Sequence, residues 1–298
     1  MRLAHLISCR TILLMFVLAA VIRGHAVPVA KQIGPGLYAY ISDNDSSANS
    51  TFLIGGNGIL VVDTGLNDEE GGKLLHAIRN ISALPVQYIV NTHYHPDHQG
   101  GNAIVGPSAV VICTDWTRER TAQLLSSLPL ANRSRFRLAD VTFQQKITLH
   151  LNPYTAEVYF PGKGHTSGDA LVYFPEQHAI AMGDLFLNRS SPAMDQGSVE
   201  NWIKALDAVL TLPLEAVVPG HFELATKTEL HRFRDYLNDL YQQVRALYEK
   251  KASLQQVRQG IHMEQYQDFR QYPKFEATFA DNANTIYQQL KQQQQQQQ

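Results

Sequence analysis

The sequence predicts an α/β (α+β) fold in which two sheets pack face to face and helices cover the outside. Three observations carry that expectation. The chain runs through two successive blocks, each with strands first and a helix after them, and the apolar faces of such sheets bury one another. Its strand candidates are short β-branched and aromatic runs separated by Asn/Ser/Gly-rich turns. At 298 residues, with 44% hydrophobic and 17% charged residues, the composition is that of a globular chain and excludes one disordered throughout. A chain of this length buries roughly three quarters of its unfolded surface, so its core needs no disulfides.

The first 26 residues read as an address. Arg2 and Arg10 flank a basic start, Thr11–Ile22 is an apolar run of twelve, and Gly24-His25-Ala26 places small residues where a signal peptidase cuts. A membrane-spanning helix needs about 20 apolar residues, so residues 1–26 are expected to be a cleaved secretory signal. Leu6-Ile7-Ser8-Cys9 resembles an acylation box but lies before the apolar run instead of after it. Cleavage removes Arg2, Arg10 and Arg23 and no acid, leaving 22 basic and 27 acidic residues and moving the charge from −2 to −5. The mature protein is then expected to be periplasmic or secreted, with no membrane attachment after cleavage.

Residues 37–62 hold LYAYI, TFLI and GILVVD between DNDSSANS and GGNG and read as a meander of strands. Asn67–Ile81 reads as a helix: Leu74, Leu75 and Ile78 share a face, and Asp68, Glu69 and Glu70 sit in the first turn, where the dipole favours acids. Strands follow at 86–92 and 109–114, then a helix over Asp115–Leu128. Cys113 falls in a β-branched run and reads as a small buried hydrophobe, not a nucleophile. The second block gives strands at VTFQQKITLHL, AEVYF, ALVYF and HAIAMG. It continues with a helix over Val199–Leu212, with Trp202, Leu206, Val209 and Leu210 on its apolar side, and a last strand EAVVPG. Long helices fill 225–250 and shorter ones lie between 253 and 291. The expected organisation is therefore a signal peptide (1–26), a sheet domain (27–225), a helical extension (226–291) and a disordered poly-Gln tail (292–298), which has no apolar side chain to bury.

The balance of 25 Lys+Arg against 27 Asp+Glu excludes a strongly basic nucleic-acid binder, because a polyanion partner requires a cationic surplus. Two cysteines, Cys9 and Cys113, cannot build a disulfide framework or a four-Cys zinc site. Five N-x-[ST] matches begin at Asn44, Asn49, Asn80, Asn132 and Asn188 and matter only in a cell that glycosylates exported chains. The expected partner is a small-molecule substrate; the oligomeric state is open.

The chemistry concentrates in Asn91-Thr92-His93-Tyr94-His95-Pro96-Asp97-His98-Gln99-Gly100-Gly101, directly after a strand. Imidazole and carboxylate are what borderline cations such as zinc bind. Next-but-one spacing turns His93 and His95 to one side of an extended segment, and Pro96 redirects the chain so that Asp97 and His98 address a second point. Three further candidates sit beside glycines at strand ends: Gly164-His165, Gly183-Asp184 and Gly220-His221. Together these are five imidazoles and two carboxylates, too many donors for one tetrahedral ion and enough for two.

The set HYHPDH, GHTSGD, MGD and PGH, preceded by VVDTG (61–65), resembles the metallo-β-lactamase superfamily of metallohydrolases over about residues 31–225. The resemblance implies a four-layer αββα sandwich with metals at one sheet edge. It implies that His93, His95 and His165 hold a first zinc, that Asp97, His98 and His221 hold a second, and that Asp184 bridges them. Asp63 would be a carboxylate behind the ligands that fixes the loop. Two such cations hold a bridging water and lower its pKa toward neutrality; the hydroxide attacks a carbonyl or phosphoryl centre, with Asp97 orienting it and moving its proton. HYH in place of H-x-E argues against the di-iron flavoprotein branch.

Two zinc ions per chain are therefore expected, with iron as the alternative metal. The expected activity is that of an exported dizinc hydrolase cleaving a small ester, thioester, lactone or amide, with β-lactams as a main or side substrate. Against a true lactamase, the zinc-cysteine subclass has Cys where this chain has Asp184 and a drug-gripping Lys where it has Leu187. A bridging Asp is instead usual in thioesterases, lactonases and phosphodiesterases of the superfamily. MEQYQDF and FADNANTIYQQL resemble exported relatives of the quinoprotein-relay and sulfur-oxidation type. They read as helices capping the sandwich, with Tyr266, Phe269, Tyr272 and Phe275 as packing or pocket-lining aromatics. The alternatives are a mononuclear iron sulfur dioxygenase and a metal-dependent accessory protein of a periplasmic oxidation system.

Overall fold

A computed structural model describes residues 29–129, 133, 136–194, 197–271 and 279–296. The expected signal segment 1–26, Asn132, Tyr272 and Phe275 lie outside the described residues.

Two sheets form the centre. The first takes its strands in chain order: β1 (Lys31–Gly34), β2 (Leu37–Tyr40), β3 (Ser50–Ile54), β4 (Ile59–Val62), β5 (Val86–Val90), β6 (Val110–Thr114) and β7 (Val141–Phe143). It is antiparallel from β1 to β4 and parallel from β4 to β7. Its crossovers carry α1 (Asp68–Arg79), the short α2 (Pro96–Gln99) and α3 (Asn102–Val105), and α4 (Asp115–Ser127). The second sheet contains β8 (Lys146–His150), β9 (Thr155–Tyr159), β10 (Leu171–Phe174), β11 (Ala179–Ala181) and, after a two-residue β12 (Ser190–Ser191), β13 (Ala216–Val218), in spatial order β13-β11-β10-β9-β8. Beyond it run α5 (Val199–Leu210), α6 (Lys227–Glu249), α7 (Leu254–Gly260), a two-residue β14 (Arg270–Gln271) paired with β12, and α8 (Phe279–Gln296).

Alternation along the strands explains the layers. Leu60, Val62, Val90 and Ile112 of the first sheet meet Val158, Val172, Phe174 and Ala181 of the second in one buried cluster. The neighbouring residues Ile59, Val61, Ile89 and Val111 face the other way, under Leu74 and Ile78 of α1. Burial on both faces is why these strands read as continuous apolar runs. Leu171, Tyr173, Ile180 and Val217 form the outer face of the second sheet and pack with Trp202 and Leu206 of α5, Phe233 and Tyr236 of α6, and Ile286 of α8. This is the αββα sandwich expected from the sequence.

Caps set the helix ends. Asn67 accepts from Glu70 N at 3.0 Å, which begins α1 one residue after the expected start. Thr226 and Glu229 form a capping box that starts α6. Cys113 is buried, and burial pushes its thiol up to about 12, as suits a packing residue.

The helical extension caps the second sheet and shares one core with it and α5. One feature departs from the sequence reading. The tail expected to be disordered from Gln292 is helical to Gln296, with Gln297 and Gln298 outside the described residues. Glutamine is a good helix former, and no Gly or Pro interrupts a helix already anchored by buried Ala283, Ile286 and Leu290. Tyr248 Oη also donates to Gln294 Oε1 at 2.6 Å. Among the described residues no helix is long and apolar enough to cross a membrane.

Candidate metal centre

The topology gathers the polar motifs at one edge. Strands β4 and β5 are parallel, so Asp63 and the segment from Asn91 leave the first sheet at the same end. In the second sheet β9, β11 and β13 share one direction, which brings His165, Asp184 and His221 to their common C-terminal end. Hydrogen bonds join the two edges: Ala170 N donates to Thr92 O at 2.7 Å, and Asn49 N donates to Gly220 O at 2.7 Å. Asp97 and His98 lie on α2, whose first residue is Pro96; its fixed φ suits the first turn of a helix.

All seven residues singled out in the sequence converge, in two groups. His93, His95, His165 and Asp184 form one; Asp97, His98 and His221 form the other. In the first, His95 Nδ1 lies 2.8 Å from His93 Nε2 and 3.2 Å from His165 Nε2, and Asp184 Oδ2 lies 3.5 Å from His165 Nε2 and 4.0 Å from His93 Nε2. In the second, His221 Nε2 is 3.2 Å from Asp97 Oδ2, and His98 Nε2 is 3.8 Å from it. Asp184 Oδ1 reaches this group too, 3.2 Å from His98 Nε2 and 3.5 Å from His221 Nε2. A tetrahedral ion with bonds of about 2.0–2.1 Å separates neighbouring donors by about 3.3–3.4 Å, so both groups have the spacing of a cation cradle.

The polar accounting agrees. His98 Nε2 and Asp184 Oδ1 are buried without a hydrogen-bond partner, and a cation between them satisfies both. Burial, with His98 and His95 alongside, holds His93 well below the ordinary histidine range; burial and His165 take His95 down to about 3. Both are neutral at neutral pH and offer a lone pair. For His98 burial acts downward, but Asp184, Asp63 and Asp97 outweigh it and raise the imidazole well above its usual range. Burial raises Asp97 and Asp184, yet His98 and His221 prevail and leave both carboxylates ionised. A pocket with enough negative charge to put a proton on a buried imidazole suits a divalent ion.

Behind these groups lies a supporting layer. Asp63 Oδ1 accepts from Thr92 N at 2.9 Å, and Oδ2 accepts from Thr92 Oγ1 at 2.7 Å and from His98 Nδ1 at 2.8 Å. The ring of His165 donates from Nδ1 to Ala193 O at 3.1 Å, leaving Nε2 for the first group. Asp169, not singled out in the sequence, accepts from Thr166 N and Thr166 Oγ1 and closes the turn that carries His165. Its only sequence signal was its place in GHTSGD. Thr114 and Thr117 at the start of α4 both donate to Gly168 O, at 2.8 and 2.9 Å, and tie the same turn to the first sheet. Gly220 is required by contact: a Cβ there would overlap Asp184 Oδ1. Leu187 is buried in the core and bridges His221, so the position offers no cationic grip to a substrate.

Comparison with known proteins returns the same architecture. A metallo-beta-lactamase type 2 from Elizabethkingia meningoseptica is 24% identical over 236 residues, 75% of this chain and 91% of that protein. A metallo-beta-lactamase from Pontibacter korlensis superposes with a TM-score of 0.61 at 23% identity, covering 71% of this chain and 99% of that one. The inverting sec-alkylsulfatase Pisa1 from Pseudomonas sp. gives a TM-score of 0.68 at 15% identity, covering 88% of this chain and 50% of that one. That 88% exceeds what residues 27–225 alone supply, so the shared fold extends beyond the sandwich domain. The sequence profile of the metallo-beta-lactamase superfamily matches residues 43–221, which reaches from the loop before β3 to the last histidine of the centre. With most of its length and its whole His/Asp cluster inside that match, the chain belongs to the metallo-beta-lactamase superfamily.

Proposed function

We propose that the protein is an exported hydrolase that holds two divalent ions, zinc foremost, and cleaves a small ester, thioester, lactone or amide bond. The observation that carries this reading is Asp184, whose two carboxylate oxygens each face a different histidine group. Bound ions supply Lewis acidity and a water nucleophile at neutral pH. The chain's own part is to hold the donors, keep His93 and His95 unprotonated, and offer a carboxylate at the mouth of the site. Asp97 is suited to that last role. Its side chain is 16% exposed against 10% for Asp184 and 3% for Asp63, so a substrate or water reaches it most readily. It orients the attacking water and moves its proton.

The all-N/O donor set suits zinc and also iron. A second complete group around Asp97, His98 and His221 favours two ions over the single iron of a dioxygenase. β-Lactams stay within the substrate range because lactamases are among the relatives; buried Leu187 places them below esters and lactones. Export is supported by the basic and apolar pattern of residues 1–26, and a secreted chain whose mass begins at residue 27 would confirm it.

The test is metal analysis of the purified chain followed by a substrate panel. The panel is a chromogenic β-lactam, a lactone, a thioester, a phosphodiester and a secondary alkyl sulfate, each with zinc supplied and then chelated. Two zinc per chain and a turnover lost on chelation and restored by zinc are expected. A chain carrying one iron and consuming oxygen would replace hydrolysis by oxygenation, and a loaded chain inert to all substrates would favour an accessory role.

A further inference from the structure

We propose that α8, at the far end of the chain, positions His165 for the first metal group. The inference rests on the metallohydrolase reading and deepens it. Its starting point is that His165 is oriented by a backbone atom, Ala193 O, which accepts from Nδ1 at 3.1 Å. Residues 190–194 and 197–198 have almost no regular structure to hold that carbonyl in place; β12 is two residues long. Two polar side chains of α8 do so instead.

Asn282 is buried and donates from Nδ2 to Pro192 O at 2.9 Å, the carbonyl directly before Ala193, and to Ser191 Oγ at 2.9 Å. Ser191 Oγ is also 3.0 Å from Tyr236 Oη, so α6 joins the same buried network. Seven residues on, two helical turns later and on the same face, Gln289 brackets the other end of the segment. Its Nε2 donates to Gly197 O at 3.1 Å and its Oε1 accepts from Val199 N at 3.2 Å. That end presses directly on the turn carrying the ligand. A Cβ on Gly197 would overlap Gly164 O, and Ser198 N donates to Gly164 O at 3.2 Å. Ala193 thus touches the His165 ring and Gly197-Ser198 touch Gly164, and α8 bonds the chain beside each contact.

An amide side chain buried as Asn282 is has a cost unless its bonds are made, half-buried Gln289 engages backbone groups with both ends of its amide, and simple capping of the second sheet needs only the apolar face of α8. Ile286 and Leu290 supply that face. Asn282 and Gln289 are therefore positioning residues: they touch no metal donor, and they fix the partner of one that does.

The experiment titrates the metal-free full-length chain with cobalt(II), reading affinity and the visible ligand-field spectrum. The chains compared are wild type, Asn282→Ala, Gln289→Ala and, as a control on the same helix, Ile286→Ala. Thermal melts of the metal-free chains report folding. Partners behind metal ligands typically set affinity by about 10–100-fold. Acting one step further back, each polar variant is expected to weaken one cobalt site about tenfold and change its spectrum, with the other site unmoved. Ile286→Ala is expected to lower the melting temperature while leaving both sites as in wild type. Polar variants that bind and absorb as wild type overturn the inference, as does a control that weakens the same site equally. A wild-type chain that takes up no cobalt overturns the metallohydrolase reading itself, and the inference with it.

Discussion

Asp184→Asn should leave a folded chain that has lost its second ion and most of its turnover. The substitution keeps shape and removes charge. One carboxylate oxygen lies 3.5 Å from His165 Nε2, the other 3.2 Å from His98 Nε2 and 3.5 Å from His221 Nε2, so one side chain serves both groups. An amide supplies one weak oxygen donor and turns N–H groups toward whichever side it does not serve. The first group keeps three imidazoles and still binds an ion. The second keeps Asp97, His98 and His221 but loses the charge shared with the first. Affinity for the second ion should fall by more than about 100-fold, beyond what loss of a residue behind the ligands costs. Turnover should fall with it, since the attacking water and leaving group are no longer held by a pair. Metal analysis at increasing zinc, alongside kcat/KM on whichever panel substrate is cleaved, measures both. Asp184→Asn with two tightly held ions and ordinary turnover would refute the shared-carboxylate arrangement.

Much of the molecule was legible in advance because its signals are local. The two strand-then-helix blocks, the acidic first turn of α1 and the apolar stripe of α5 are short-range patterns, and each appears where it was expected. The seven donors were legible because His93, His95, Asp97 and His98 crowd six positions and the other three stand beside glycines at strand ends. What stayed hidden depends on contacts across the chain. Asp169 differs in no local way from a turn aspartate; only its bonds to Thr166 show that it closes the His165 turn. Asn282 and Gln289 are ordinary polar helix residues by periodicity, and their partners lie about ninety positions away. The poly-Gln tail looked unable to fold alone, which is a statement about packing; helix propagation from an anchored segment needs no packing of its own. The strands β12 and β14 are too short to leave a pattern.

Asp63→Asn should unload the second group without unfolding the protein, and the reason is a proton on the far side of a ring. Asp63 accepts three hydrogen bonds, from Thr92 N, Thr92 Oγ1 and His98 Nδ1, with its side chain only 3% exposed. Its φ is 56°, in the left-handed region that Asp and Asn tolerate better than Ala. When His98 gives up a proton to coordinate, the carboxylate keeps the remaining one on Nδ1 and leaves Nε2 open. An asparagine that still accepts from Thr92 N turns its own N–H groups toward Thr92 Oγ1 and His98 Nδ1. The threonine hydroxyl can accept; the ring must then accept at Nδ1 and carry its proton on Nε2, the atom the metal needs. Second-ion affinity should fall about 10–100-fold, while stability falls by about 1–3 kcal/mol, because Thr92 N and His98 Nδ1 stay bonded and only the Thr92 hydroxyl hydrogen loses its acceptor. Asp63→Ala differs in kind. It strands three donors and places alanine at a positive φ, and should cost about 3–5 kcal/mol as the break of a buried charged pair does. Denaturant melts separate the two substitutions, and nitrogen chemical shifts of His98 in the zinc-loaded protein report the tautomer. If Asp63→Asn binds both ions as the wild type does, with His98 still protonated at Nδ1, the proposed control of the ring by Asp63 is wrong.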